Sequence, residues 1–153
     1  MATRGIRQSI LSISTPQGNA FQSEPDASLR RDKSVALARL LNEYVAQVVR
    51  VWPERFRFLG VVPLPWVGEA VREARYVLGE GMGAVGIGVL TNHEGVYVGD
   101  ERFDGLWEVL GERGREVVFV HPTEPVIRLE DGRLVGSRPC KFCSPSSLRF
   151  LVA

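Results

Sequence analysis

The chain is poor in the residues that most often carry chemistry. Its 153 residues include only two cysteines, two histidines and two methionines. Two cysteines in one C-x-x-C, Cys140 and Cys143, make no disulfide framework. A structural zinc site needs four ligands, and nothing downstream of Cys143 completes one, so the pair reads as two incidental thiols. Charge of one sign is also missing. Nineteen Lys and Arg face eighteen Asp and Glu, a net charge of +1, which argues against a nucleic-acid or anionic-membrane partner. No apolar run approaches the roughly 18 residues of a membrane span. The first residues, "MATRGIRQSI", lack an apolar signal core, so the expected location is the cytoplasm. A phosphate loop ending in Gly-Lys and a G-x-S-x-G nucleophile elbow are both absent from the sequence.

What is present alternates. "IRQSILSIS" suggests a short strand at Ile10, Leu11 and Ile13, and "TPQGNAFQSEPDAS" reads as a loop. Leu37, Leu40, Leu41, Tyr44, Val45, Val48, Val49 and Trp52 then recur at helical spacing as one apolar stripe. Asp26 or Asp32 is placed to cap that helix, and Pro53 to end it. Phe58, Leu59, Val61 and Val62 predict a strand closed by Pro63 and Pro65, and a second helix covers Val67 to Leu78. "AVGIGVLTN" predicts a strand and "HEGVYVGDER" a loop. Phe103, Leu106, Trp107 and Leu110 predict a third helix, and "VVFVH" a last strand. Trp52, Trp66, Trp107, Phe56 and Phe103 read as core packing.

Strands alternating with helices imply an α/β protein with a parallel sheet. Leu64, Asn92 and His121 recur at roughly 30 residues, the length of a βαβ unit. The last two strands are continuous apolar runs, which predicts burial on both faces. Glycines 81, 83 and 86 spell G-x-G-x-x-G, but a helix precedes them and a strand follows, the reverse of a dinucleotide loop. After Pro125 the rhythm stops. "VIRLEDGRLV" reads as a hairpin about Asp131-Gly132, followed by an irregular, mostly basic tail. The expected division is therefore a barrel-like segment over 1–125 and a divergent tail over 126–153.

Sites in parallel α/β folds form at the C-terminal ends of strands. Ser12, Ser14, Pro63, Pro65, Asn92, His93 and His121 fall at such ends. Adjacent strands lie about 4.8 Å apart, so His93 and His121 are placed to face one cleft. The plainer reading, a hydrogen-bonded polar residue at a strand end, stands beside a metal-binding one for both.

Five stretches together, "SILSISTP", "ALARLLNEYVAQVVRVWPERFRFLGVVPLP", "EARYVLGEGMGAVGIGVLTN", "GVYVGDERFDGLWEVL" and "VVFVHPTEP", resemble the amidohydrolase-related metal-dependent enzymes. The branch is that of the aminocarboxymuconate-semialdehyde, methylsalicylate and resorcylate decarboxylases. The resemblance implies a distorted (β/α)8 TIM barrel holding one divalent metal, usually zinc. It implies a decarboxylase (lyase) or hydrolase acting on a small aromatic or unsaturated carboxylic acid. The family's metal ligands are a His-x-His pair on the first strand, histidines after the fifth and sixth strands, and an aspartate after the eighth. "VFVHP" matches the fifth-strand position, so the resemblance makes His121 a metal ligand. It places Thr91, Asn92 and Ser14 at the substrate pocket, gives His93 no role, and assigns no residue as catalytic.

The His-x-His is missing, and the tail does not resemble the later strands. The expectation is thus a partial barrel of about four parallel strands with three helices, truncated and inactive as it stands. One imidazole holds zinc too weakly to retain it. Four strands do not close a barrel and leave open edges, so the alternative expectation is a non-catalytic remnant forming a homo-oligomer through those edges.

Overall fold

The computed structural model describes residues 4–114, 116–131 and 134–136. Cys140, Cys143 and most of the basic tail lie outside them. The core of the fold is a four-stranded sheet, all parallel, in the order β1-β2-β3-β6. These strands are β1 (Ser9–Ser12), β2 (Phe56–Val61), β3 (Ala84–Leu90) and β6 (Val117–His121). Three helices connect them, α1 (Ala27–Val51), α2 (Val67–Val77) and α3 (Asp104–Glu112). The expected partial (β/α)8 barrel is what forms, a half-barrel of four parallel strands and three helices. Among the described residues no helix is long and apolar enough to cross a membrane.

Local chemistry sets the boundaries. Asp26 is the cap of α1, its carboxylate accepting from the backbone N–H groups of Ser28 at 2.9 Å and Leu29 at 3.1 Å. The helix therefore starts ten residues before Leu37, inside the stretch read as a loop, which also holds a short 3-10 helix, Gln17–Phe21. The "HEGVYVGDER" stretch likewise contains structure, a two-residue antiparallel pair of β4 (Asn92–His93) and β5 (Val96–Tyr97). The hairpin after Pro125 is present as β7 (Val126–Arg128) against β8 (Leu134–Gly136). Gly81 and Gly83, with φ of 87° and 83°, turn the chain from α2 into β3, a conformation that L side chains rarely adopt.

The main core lies between the sheet, α2 and α3. Val62, Leu64, Ala74, Val77, Ile87, Val89, Phe103 and Leu106 are among its buried members. Gly60 and Gly86 are required by close packing. A Cβ on Gly60 would strike the Val77 side chain, and one on Gly86 would overlap the Val117 carbonyl across the β3–β6 ladder.

Three sequence expectations need correction. The inner face of α1 is built from Ser34, Ala38, Asn42, Val45, Ala46 and Val49; Leu40, Tyr44 and Trp52 are exposed. Small residues occupy the inner face because the helix lies close on β2, so the larger apolar side chains point outward. Trp52 is accordingly not core and packs edge-on against Phe56. Finally, β6 is not buried on both faces. Val117, Val118, Phe119 and Val120 are 39–47% exposed, since β6 is an edge strand paired with β3 alone among the described residues.

Candidate functional site

The parallel sheet sends the C-terminal ends of β1, β3 and β6 to one rim. Leu90 is paired with His121 in the β3–β6 register, so the residues after each strand, Thr91 and Pro122, start at the same level. β1 and β6 are the two outer strands, with β2 and β3 between them. In a flat sheet they would stand about 14 Å apart. Yet Ser14 Oγ lies 3.3 Å from His121 Nε2. The sheet is therefore curled like the wall of a barrel, and its inward side chains meet above the middle.

The His121 ring is oriented by its backbone. Nδ1 lies 2.8 Å from the carbonyl oxygen of Pro122. A carbonyl only accepts, so Nδ1 carries the proton and Nε2 keeps its lone pair, which accepts from the Ser14 hydroxyl. This is the tautomer in which imidazole binds a cation, with its other nitrogen held by an outer partner. Phe119 packs edge-on to the ring at 6.1 Å between centroids.

Thr91 and Asn92 are joined to the segment after His121. Thr91 Oγ1 lies 2.7 Å from Thr123 Oγ1 and accepts from the Thr123 N–H at 3.0 Å. Asn92 Nδ2 donates to Thr123 Oγ1 at 2.8 Å and to the Glu124 carbonyl at 3.0 Å. From the other side, Asn19 Nδ2 donates to the Asn92 carbonyl at 3.1 Å. Between these segments lies a cavity of about 190 Å³, lined among others by Thr15, Asn19, Leu90, Asn92, Thr123 and Glu124. Thr123 and Asn19 were not legible as site residues in the sequence, because both sit in stretches that read as plain loop. The only local signal for Thr123 was its place two residues beyond His121.

His93 does not share that cleft. Its ring is fully buried, packed edge-on against Phe103, with Nε2 accepting from the Leu90 N–H at 3.3 Å. Burial pushes the imidazole down to about 4, opposed in part by the Leu64 backbone. The turn at Glu94 (φ 51°) and Gly95 (φ 79°) folds β4 inward, which is why sequence adjacency to Asn92 did not put His93 at the rim.

Among the described residues no group of three or more His, Cys, Asp or Glu side chains converges on a point that could hold a metal ion. His121 thus stands at the rim beside Ser14, outside any such group.

Residues 18–146 match the family described as Amidohydrolase. The chain belongs to the amidohydrolase family. Among amidohydrolase relatives, it is 33% identical over 127 residues to the 6-methylsalicylic acid decarboxylase of Aspergillus aculeatus, covering 81% of this chain and 36% of that one. It is 34% identical over 90 residues to the 2-amino-3-carboxymuconate-6-semialdehyde decarboxylase of Dictyostelium discoideum, covering 59% of this chain and 24% of that one. Its fold is similar to the crystal structure of a dihydroxybenzoic acid decarboxylase from Polaromonas sp. JS666 with bound manganese and the inhibitor 2-nitroresorcinol. That likeness has a TM-score of 0.68 at 25% identity, covering 82% of this chain and 37% of the other. The chain spans about a third of the length of the amidohydrolase decarboxylases it matches.

Proposed function

We propose that this chain is the segment of a metal-dependent carboxy-lyase that supplies one metal ligand, His121, and one wall of the substrate pocket. The substrate is a small aromatic or unsaturated carboxylic acid. The observation that carries this reading is the 33% identity, over 127 residues, to a decarboxylase of 6-methylsalicylic acid. The geometry supports it, because His121 carries its Nε2 lone pair, met by the Ser14 hydroxyl, at the rim where Thr91 and Asn92 also end. Asn92 lines the cavity there, and Ser14 and Thr91 adjoin it through their neighbours Thr15 and Asn92. The balanced charge and sparse cysteine support a cytoplasmic setting.

Zinc is the metal implied by the resemblance, and manganese is the one bound in a similar decarboxylase structure. When bound, such a cation supplies Lewis-acid polarisation of the substrate. The described residues fit one ligand of that centre and not the whole of it, so no step is derived through the metal. What the chain itself does is hold the Nδ1 proton on the Pro122 carbonyl and keep Nε2 available.

A second reading is favoured by the exposed β6. Among the described residues Val117–Val120 form an apolar parallel edge open on one side, the geometry through which a non-catalytic half-barrel associates with other copies.

One experiment separates the two. The chain is loaded with zinc or manganese, dialysed, and assayed for bound metal and for carbon dioxide release from hydroxybenzoic acids. Stoichiometric metal that is lost in His121→Ala supports the first reading. No retained metal and no turnover supports the second.

A further inference from the structure

Helix α1 is apolar on two opposite faces. Ala38, Val45, Ala46 and Val49 face the sheet. Leu29, Leu40, Tyr44 and Val51 face away, and Leu40 and Tyr44 are 66% and 68% exposed. At 3.6 residues per turn these four side chains fall within about 60° of arc, which Lys33 and Gln47 share, so the apolar centre of the stripe is Leu40 and Tyr44. The solvent side of a helix packed on a sheet is ordinarily polar.

Beside that stripe runs a row of four charges, Asp32, Arg39, Glu43 and Arg50. Their signs alternate, and their spacings are seven, four and seven, symmetric about position 41. A row with that symmetry is complementary to itself when reversed. If a second α1 lies antiparallel across the stripe with position 41 opposite position 41, Asp32 meets the partner copy's Arg50. Arg39 meets the partner copy's Glu43, and the two reciprocal pairs repeat the contacts. The same register puts the partner copy's Leu40 midway between Leu40 and Tyr44, a knob between two neighbours on one face.

Part of this row is already engaged within the chain. The Glu73 carboxylate holds Arg39 with three bonds, at 3.1, 3.0 and 2.8 Å, and Glu43 accepts from the Tyr76 hydroxyl. Arg50 makes only long contacts, to Gln47 Oε1 at 3.4 Å, Met82 Sδ at 3.5 Å and Glu43 at 3.9 Å, and Asp32 has no ion pair among the described residues. The outer pairs, Asp32 with Arg50, therefore decide the register.

We infer that the outer face of α1 is a two-fold interface for a second copy of this chain, with the helices antiparallel and centred on position 41. This surface is separate from the β6 edge and independent of the proposed chemistry.

Sedimentation velocity of the full chain over a concentration series tests it, with circular dichroism confirming that each variant folds. The expected result is a dimer that Leu40→Glu converts to monomer. Asp32→Arg and Arg50→Asp each raise the dissociation constant about tenfold or more, and D32R/R50D combined restores it, because the reversed charges face each other again. A chain that stays monomeric overturns the inference. So does a dimer that ignores Leu40→Glu, that shows no rescue in the double variant, or that is abolished only by Val118→Lys on the β6 edge.

Discussion

Asn42 stands in for a missing strand beside Val61. Its Oδ1 accepts from the Val61 N–H at 2.7 Å, and its Nδ2 donates to the Val61 carbonyl at 2.8 Å. β1 ends at Ser12, opposite Leu59, two residues short of Val61, so the backbone there would otherwise be buried without a partner. A second bond from Nδ2, 2.8 Å to Glu73 Oε1, ties α2 to the same point. Asn42 thus bridges a helix, a strand and a second helix with one buried polar side chain.

Asn42→Ala is expected to lower unfolding stability by about 2–3 kcal/mol, because it strands the Val61 N–H and the Val61 carbonyl, while Glu73 Oε1 keeps its bond from Arg39 Nε. Asn42→Leu fills the space and costs at least as much. Arg39→Ala is expected to cost less, about 1 kcal/mol, since water reaches the side of Glu73 that Arg39 covers. Urea unfolding followed by circular dichroism orders the three.

His93 predicts a pH dependence. Its folded value is near 4 against an ordinary 6.5, so between those limits the unfolded chain binds a proton that the folded chain excludes. Stability attributable to His93 is complete above about pH 6.5 and is lost as the pH falls towards 4, by at most about 3 kcal/mol. His93→Gln should flatten the difference between denaturation midpoints at pH 7 and pH 5. An unchanged slope in the variant would refute it.

Gly86→Ala tests the β3–β6 contact. The added methyl has to enter the Val117 carbonyl, which cannot move without opening the ladder. A loss of about 2 kcal/mol or more, with faster hydrogen exchange in Val117–His121 than in β2, is the expected result.

Asp26→Ala removes the cap of α1 and should cost about 1 kcal/mol. His121→Ala and Ser14→Ala, at the open rim, should each stay within about 0.5 kcal/mol of the parent. Thermal melts of the three variants separate the structural cap from the rim pair.

The order of strands and helices was readable from the sequence because each element carries its own local signal. The period of apolar residues, Pro53, Pro63 and the glycines at 81 and 83 needed no tertiary information. His121 was readable as a rim residue for the same reason, once the alternation implied parallel strands. The membership of the chain in the amidohydrolase family was legible in five stretches taken together.

Burial was a different matter. Apolar periodicity says that a residue can be covered, and it cannot say by what. Helix α1 has apolar residues on both sides, and only the packing against β2 chose Ala38 and Val45 over Leu40 and Tyr44. The run from Val117 to Val120 looked like a central strand, and its place at the end of the sheet made it an edge. His93 and His121 carry the same ring at the ends of successive strands. The turn at Glu94 and Gly95 folds one into the core, and the curl of the sheet brings the other to Ser14. Local sequence fixes backbone preferences over a few residues, whereas these outcomes depend on which segments, far apart in the chain, arrive at the same place.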